Sequence, residues 1–179
     1  LTRLTCRAQP CSAEMLSALS EYSAQLEHLT IAWSEIATEE VSSFAPLLRR
    51  LKYLKIESLI VDTIDPIPSQ PMVATAAELM NIEEIILIGC FGPKVDLIIE
   101  AIAQTCKKLR HLDINSSITV PPFGVDTSTL MVEILRNNPH LEYIDLNQIS
   151  WATDEAIHIM SKSCSNMKYI NIYSFYGHS

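Results

Sequence analysis

Hydrophobic positions along this chain recur in one phrase, seen most clearly in Leu109-Arg110-His111-Leu112-Asp113-Ile114-Asn115, where the first, fourth and sixth residues are apolar and the others polar. The phrase begins again at Leu1, Leu26, Leu51, Ile82, Leu109, Leu141 and Met167, so successive copies lie 25, 25, 31, 27, 32 and 26 residues apart. A repeat at this period marks stacked supersecondary units, none of which can cover its own apolar face. Within each phrase the alternation predicts a short strand.

The segments between phrases read as helices. Ser12 is a start signal for a helix with Met15, Leu16, Leu19 and Tyr22 facing inward, and Thr38-Glu39-Glu40 opens one carrying Val41, Phe44, Leu47 and Leu48, shortened or kinked at Pro46. A brief helix is expected over residues 74–80 and a clear one over 95–106, with Leu97, Ile98, Ala101, Ile102 and Leu109 marking its buried side. Asp126 or Thr127 caps the next, which carries Leu130, Met131, Ile134 and Leu135 and ends at Asn137-Asn138-Pro139; Thr153 caps the last, with Ala156, Ile157 and Met160 inward. Two proline-rich stretches, with Pro66, Pro68 and Pro71 in the first and Pro121-Pro122 in the second, read as loops and account for the two longest intervals. The expectation is a single α/β solenoid over residues 1–179, about seven repeats long, with parallel strands on a concave inner face and helices on a convex outer one.

Such strands turn their first, fourth and sixth residues toward the core and their third, fifth and seventh outward. The outward columns are Arg3, His28, Tyr53, Glu84, His111, Tyr143 and Tyr169; then Thr5, Thr30, Lys55, Ile86, Asp113, Asp145 and Asn171; then Arg7, Ala32, Glu57, Ile88, Asn115, Asn147 and Tyr173. They run from basic through apolar at Ile86 and Ile88 to acidic and aromatic. His111, Asp113, Tyr143, Asp145, Tyr169 and Tyr173, with Ile86 and Ile88, are therefore the expected partner-binding residues. Tyrosine beside carboxylate gives contact area and hydrogen bonding at little entropic cost, which fits a basic or mixed peptide.

Composition narrows the alternatives. With 48% hydrophobic and 19% charged residues the chain is not disordered, and 13 Lys+Arg against 21 Asp+Glu gives 13 − 21 = −8. Basic residues cluster only as Arg49-Arg50 and Lys107-Lys108, too few to drive phosphate binding, so neither nucleic acid nor an anionic membrane surface is expected as a partner. No apolar run approaches the ~20 residues of a membrane span. Five cysteines, an odd number spread over different repeat positions, suit reduced core thiols and an intracellular setting, cytoplasmic or nuclear. The chain starts at Leu1, inside a repeat, and so reads as a piece of a longer protein.

Catalysis is the rival class. His111 and Asp113 lie two apart on one strand face, as a base and its orienting carboxylate lie, with Cys90 close in repeat space. Cys90, however, closes its unit at a position that repeats fill with a buried small residue, and no serine has a nucleophile-elbow setting. No metal-ligand spacing and no glycine-rich phosphate motif occurs, so no cofactor and no enzyme activity is expected.

Two helices end in a more specific phrase: Cys106-Lys107-Lys108-Leu109 before Leu112 and Ile114, and Cys164-Ser165-Asn166-Met167 before Ile170 and Ile172; the fourth unit closes Leu87-Ile88-Gly89-Cys90. These resemble the cysteine-containing subclass of leucine-rich repeats found in F-box substrate receptors and ribonuclease-inhibitor-like horseshoes. Other units depart from it, with Ser23, Leu48, Leu79 or Asn138 in place of the cysteine before the strand. The resemblance implies a protein-interaction module that selects substrates for a ubiquitin ligase, whose scaffold an F-box upstream of Leu1 reaches. A scaffold or assembly factor outside the ligase system, working through the same concave surface, is the alternative.

Overall fold

The structure, a computed structural model, describes residues 1–6, 13–35, 45–60, 78–90, 95–115, 127–146 and 153–172. Ser12, Asp126, Tyr173, the helix start at 38–41, the expected helix over 74–77 and the loops at 65–71 and 121–124 lie outside the described residues. Seven strands form among the described residues: β1 Arg3–Cys6, β2 His28–Glu35, β3 Tyr53–Ile60, β4 Glu84–Ile88, β5 His111–Asp113, β6 Tyr143–Asp145 and β7 Tyr169–Asn171. They make one open parallel sheet in chain order. Five described helices accompany them: α1 Ala13–Tyr22, α2 Ala45–Leu48, α3 Val95–Thr105, α4 Thr127–Asn137 and α5 Asp154–Ser163.

The register keeps every phrase aligned with the next. Position three pairs Arg3 with His28, Tyr53, Glu84, His111, Tyr143 and Tyr169 in turn, and position four pairs Leu4, Leu29, Leu54, Ile85, Leu112, Ile144 and Ile170. A repeated backbone bridge holds that alignment. The carbonyl at position two accepts two N–H groups from the following strand: Thr2 from Glu27 and His28, Glu27 from Lys52 and Tyr53, and so on through Glu142 from Lys168 and Tyr169, all at 2.7–3.1 Å.

One continuous core runs between sheet and helices. It holds positions one and four of the interior units, including Leu26, Leu54, Ile82 and Leu112, against Ile99, Ile102, Met131, Ile134, Leu135 and Met160 from the helices. α5 starts as its sequence requires, with the Thr153 hydroxyl oxygen accepting from the Ala156 N–H at 3.2 Å and with Asp154 and Glu155 in the first turn. Gly89, which follows β4, has φ of 61°, a backbone that glycine adopts without a Cβ clash.

α2 is short, as expected of a helix that holds Pro46: its described part is four residues long with Pro46 in the first turn, where the missing N–H carries no cost. Two local expectations change. Residues 78–80 are turn rather than helix. Tyr22 and Ile157, expected inward, are 79% and 43% exposed, each on a helix that packs, among the described residues, against one neighbouring helix.

The residue just before each strand's turn links neighbouring units. The Cys106 thiol donates to the Leu79 carbonyl at 3.5 Å, the Asn138 amide to the Cys106 carbonyl at 2.9 Å, and the Cys164 thiol to the Asn138 carbonyl at 3.8 Å. Asn138, 1% exposed, also donates to the Ile134 carbonyl and accepts the Leu109 N–H. Cys90, Cys106 and Cys164 are buried, and burial pushes the Cys106 thiol up to about 12, which keeps it protonated.

Two stability measurements follow. In denaturant unfolding, Leu112→Ala costs about 2–5 kcal/mol, whereas Ile170→Ala at the same repeat position costs a small part of that, since Ile170 is half-exposed. Asn138→Ala costs about 1–3 kcal/mol, because it strands the buried Leu109 N–H and the Cys106 carbonyl.

Candidate functional site

The face of the sheet away from the helices carries the expected site, and the register decides which of its residues meet. In row three the rings of His111 and Tyr143 stack with centroids 4.0 Å apart and planes 21° apart, and Tyr143 and Tyr169 stack at 4.3 Å and 7°. Three rings on three successive strands thus form one ladder, since neighbouring parallel strands are spaced by about one ring separation. A second, looser stack joins His28 and Tyr53 at 5.6 Å.

Row five lies beside the ladder and pairs Lys55, Ile86, Asp113, Asp145 and Asn171 in register. Ile86 and Ile88 are half-buried in β4, and Lys55 bridges Glu57 at 2.6 Å across the same part of the face. Asp113 and Asp145 are direct neighbours. Asp113 accepts the Asn115 N–H at 3.0 Å, and Asp145 accepts from the Asn171 amide at 3.2 Å. Asp145 is 5% exposed, so this position of the expected open column is covered. Tyr173 lies outside the described residues, and Ala32, also in an outward column, is buried.

Burial raises the Asp113 carboxyl above the usual carboxylate range; the Asn115 N–H works against it and the Asp145 charge adds to it. Burial together with the two aspartates and Tyr169 pushes the Tyr143 phenol up to about 12, so Tyr143 stays a hydrogen-bond donor through the neutral range. His111 and Asp113 share no hydrogen bond among the described residues: the His111 Nε2 is buried without a partner and the Asp113 carboxylate turns to Asn115. The Cys90 thiol points to the Ile56 and Ile88 carbonyls at 3.9 Å. Among the described residues no group of three or more His, Cys, Asp or Glu could hold a metal ion, and no helix is long and apolar enough to cross a membrane.

Columns three, five and seven leave out column two, where the structure holds an ordered line of charge: Glu27, Lys52, Glu83, Arg110, Glu142 and Lys168. Lys52 bonds Glu27 at 2.9 Å; Glu142 receives Lys168 at 2.5 Å and the Arg110 guanidinium. Those two hydrogen bonds, Lys168 first, hold the Glu142 carboxyl down at about 2. The signal was open to inspection, since the second letter of each phrase alternates in sign from Glu27 onward.

Fold and face together define a leucine-rich repeat solenoid of the α/β kind: a parallel strand and a turn or helix per unit, one row of side chains per strand position. Neither a protein-family model nor a curated protein matches the chain by sequence. Solved structures are similar in fold. The tropomodulin C-terminal domain of Caenorhabditis elegans is similar over 86% of this chain and 92% of its own, at 14% identity and a TM-score of 0.52. An internalin of Listeria monocytogenes is similar over 89% of this chain and 44% of its own, at 12% identity and a TM-score of 0.47.

Titration separates the two acidic sites. Asp113 has a raised folded-state pKa, so its ionisation opposes folding: Asp113→Asn raises Tm at neutral pH, and the gain disappears as pH falls below the unfolded aspartate value. Glu142 has a lowered one, so Glu142→Gln lowers Tm at neutral pH, and the deficit closes as pH falls from the unfolded glutamate value toward 2. Thermal melts of the two variants from pH 2 to pH 7 show opposite trends.

Proposed function

We infer that this chain is a protein-interaction module that binds a basic or mixed peptide segment on the open face of its sheet. The observation that carries this reading is the ladder of His111, Tyr143 and Tyr169 beside the Asp113 and Asp145 pair. Stacking fixes each ring by its neighbours, so a partner finds the aromatic surface already ordered and little rotamer entropy remains to be lost. The adjoining carboxylates supply negative potential for an arginine or lysine, and Ile86 and Ile88 give an apolar contact two and three strands away from Tyr143 and Tyr169.

The finer reading is a substrate-recognition domain of an F-box-type ubiquitin ligase subunit. Its support is the cysteine phrase, with Cys106 and Cys164 in the same linking position between units. Leu79 and Asn138 in that position favour the broader reading, a scaffold or assembly factor using the same face. In the ligase case the full-length protein co-purifies with the ligase adaptor; in the scaffold case it does not, and the face still binds.

Selection of a random displayed peptide library on the immobilised chain tests the site itself. Enriched peptides carry Arg or Lys near an apolar or aromatic residue, and Tyr143→Ala and Asp113→Lys each weaken them about tenfold or more. Lys107→Ala, on the exposed stretch after α3, leaves them unchanged. Peptides indifferent to both face variants, with folding verified by circular dichroism, would remove the proposal.

A further inference from the structure

The two basic pairs of the sequence, Arg49-Arg50 and Lys107-Lys108, belong to different repeat units, but stacking brings members of both onto one groove. The groove, of about 380 Å³, crosses the starts of β2, β3, β4 and β5 and so lies within the array. Its charged lining is Arg49, Arg50, Lys52 and Lys108 with Glu27 and Glu83. Four cations to two carboxylates reverses the balance of the whole chain, whose net charge is −8.

Pairing within this lining is uneven. Lys52 bonds Glu27 at 2.9 Å, Glu83 lies between the Lys52 and Arg110 charges, and Arg49 gives two hydrogen bonds to Glu78. Arg50 and Lys108 are left, and among the described residues neither has a carboxylate partner. Arg50 is half-buried: its guanidinium donates to the Ser20 carbonyl at 2.8 Å, and its Nε is buried with no hydrogen-bond partner. Lys108 reaches along the rim to the neutral Asn81 Oδ1 at 2.7 Å, and the Asn81 Nδ2 donates to the Arg49 carbonyl at 2.9 Å. Arg50, Asn81 and Lys108 each stand just before the phrase of their unit, on three successive units, so Asn81 separates the two cations. A guanidinium held partly out of water without a counter-charge costs stability, and the cost falls when an anion enters the groove.

We propose that this groove is a binding site for a phosphate monoester, with Arg50 and Lys108 as its counter-charges. Two uncompensated cations match a group that carries between one and two negative charges near neutral pH. They stand on opposite sides of Asn81, an arrangement that a tetrahedral group with three free oxygens meets better than a flat carboxylate does, and the guanidinium adds directed N–H donors. Two cations are too few to follow a chain of phosphates, which sets a single phosphoryl group above nucleic acid. The groove lies at the strand starts, apart from His111, Asp113 and Tyr143, so it stands independently of the peptide reading of the open face.

Inorganic phosphate and a Gly-Ser peptide with one central phosphoserine serve as probes, each titrated into the isotope-labelled 179-residue chain and followed by amide chemical shifts. Phosphate binds saturably, with the shifts concentrated at Arg50, Lys52, Asn81 and Lys108 and absent from Tyr143 and Asp145. Arg50→Gln and Lys108→Gln each weaken it about tenfold or more, while Lys107→Gln, beside the groove but outside its lining, leaves it unchanged. Phosphate raises the Tm of the unaltered chain and not that of Arg50→Gln. Binding weakens as pH falls from about 7.5 to about 5.5, where the phosphoryl group loses its second charge. Tighter binding of the phosphoserine peptide than of inorganic phosphate makes the source a modified protein segment, and the reverse order makes it a small phosphate compound; either bears out the site. Lys108 is exposed, so Lys108→Gln keeps the fold and tests the groove even if Arg50→Gln unfolds. Equal binding of succinate, equal losses from Lys107→Gln and Lys108→Gln, or shifts spread over all the basic residues overturns the proposal.

Discussion

The rest of the structure depends on the bridge in which one position-two carbonyl accepts both the second and the third N–H of the following phrase. Strands have a side-chain period of two, so a slip of a single residue sends every leucine to solvent and every polar residue into the core. The interlocking apolar positions exclude such a slip, while the double bridge, made by backbone groups alone, forms whatever side chain occupies position two. That freedom leaves position two open to surface chemistry, and the chain fills it with charges of alternating sign from Glu27 to Lys168. Each pair is exposed and contributes little by itself; the series adds electrostatic preference for one register over its neighbours.

Once register is fixed, the two faces of the sheet acquire different physics. Toward the helices, positions one and four interlock into a dry core in which Leu26, Leu51, Ile82, Leu109 and Leu141 are each 0% exposed. On the opposite face, like positions fall beside like positions, so a column of rings becomes a stack and two aspartates become a pair. Asp145 is covered in this arrangement, and the Asp113 carboxyl is raised chiefly by its burial, with the charge of the adjacent Asp145 adding to it.

The linking position before each strand shows how loosely a repeat consensus binds its members. A thiol and a carboxamide donate to the preceding unit's carbonyl from the same place, Cys106 to Leu79 and Asn138 to Cys106. The amide does more, for it also accepts the Leu109 N–H, and the Leu79 of the fourth unit contributes only its carbonyl. Where the position does satisfy the preceding unit's buried carbonyl, sulfur and nitrogen both serve.

Local pattern was enough to read the solenoid, its seven strands, the cap at Thr153 and the inward positions of the interior units, because a stacked repeat is held by contacts between neighbours that share one phrase. The outward columns were equally legible as lists of residues. Proximity across strands was not: that His111, Tyr143 and Tyr169 stack at 4.0 and 4.3 Å, that Asp145 is covered, and that Asn138 ties the Leu109 N–H to the Cys106 carbonyl depend on residues far apart in the chain. Tyr22 and Ile157 mark the same boundary from the other side. Their helical spacing is correct, but whether a correctly spaced residue is buried depends on there being a neighbour to cover it, and only the tertiary structure decides that.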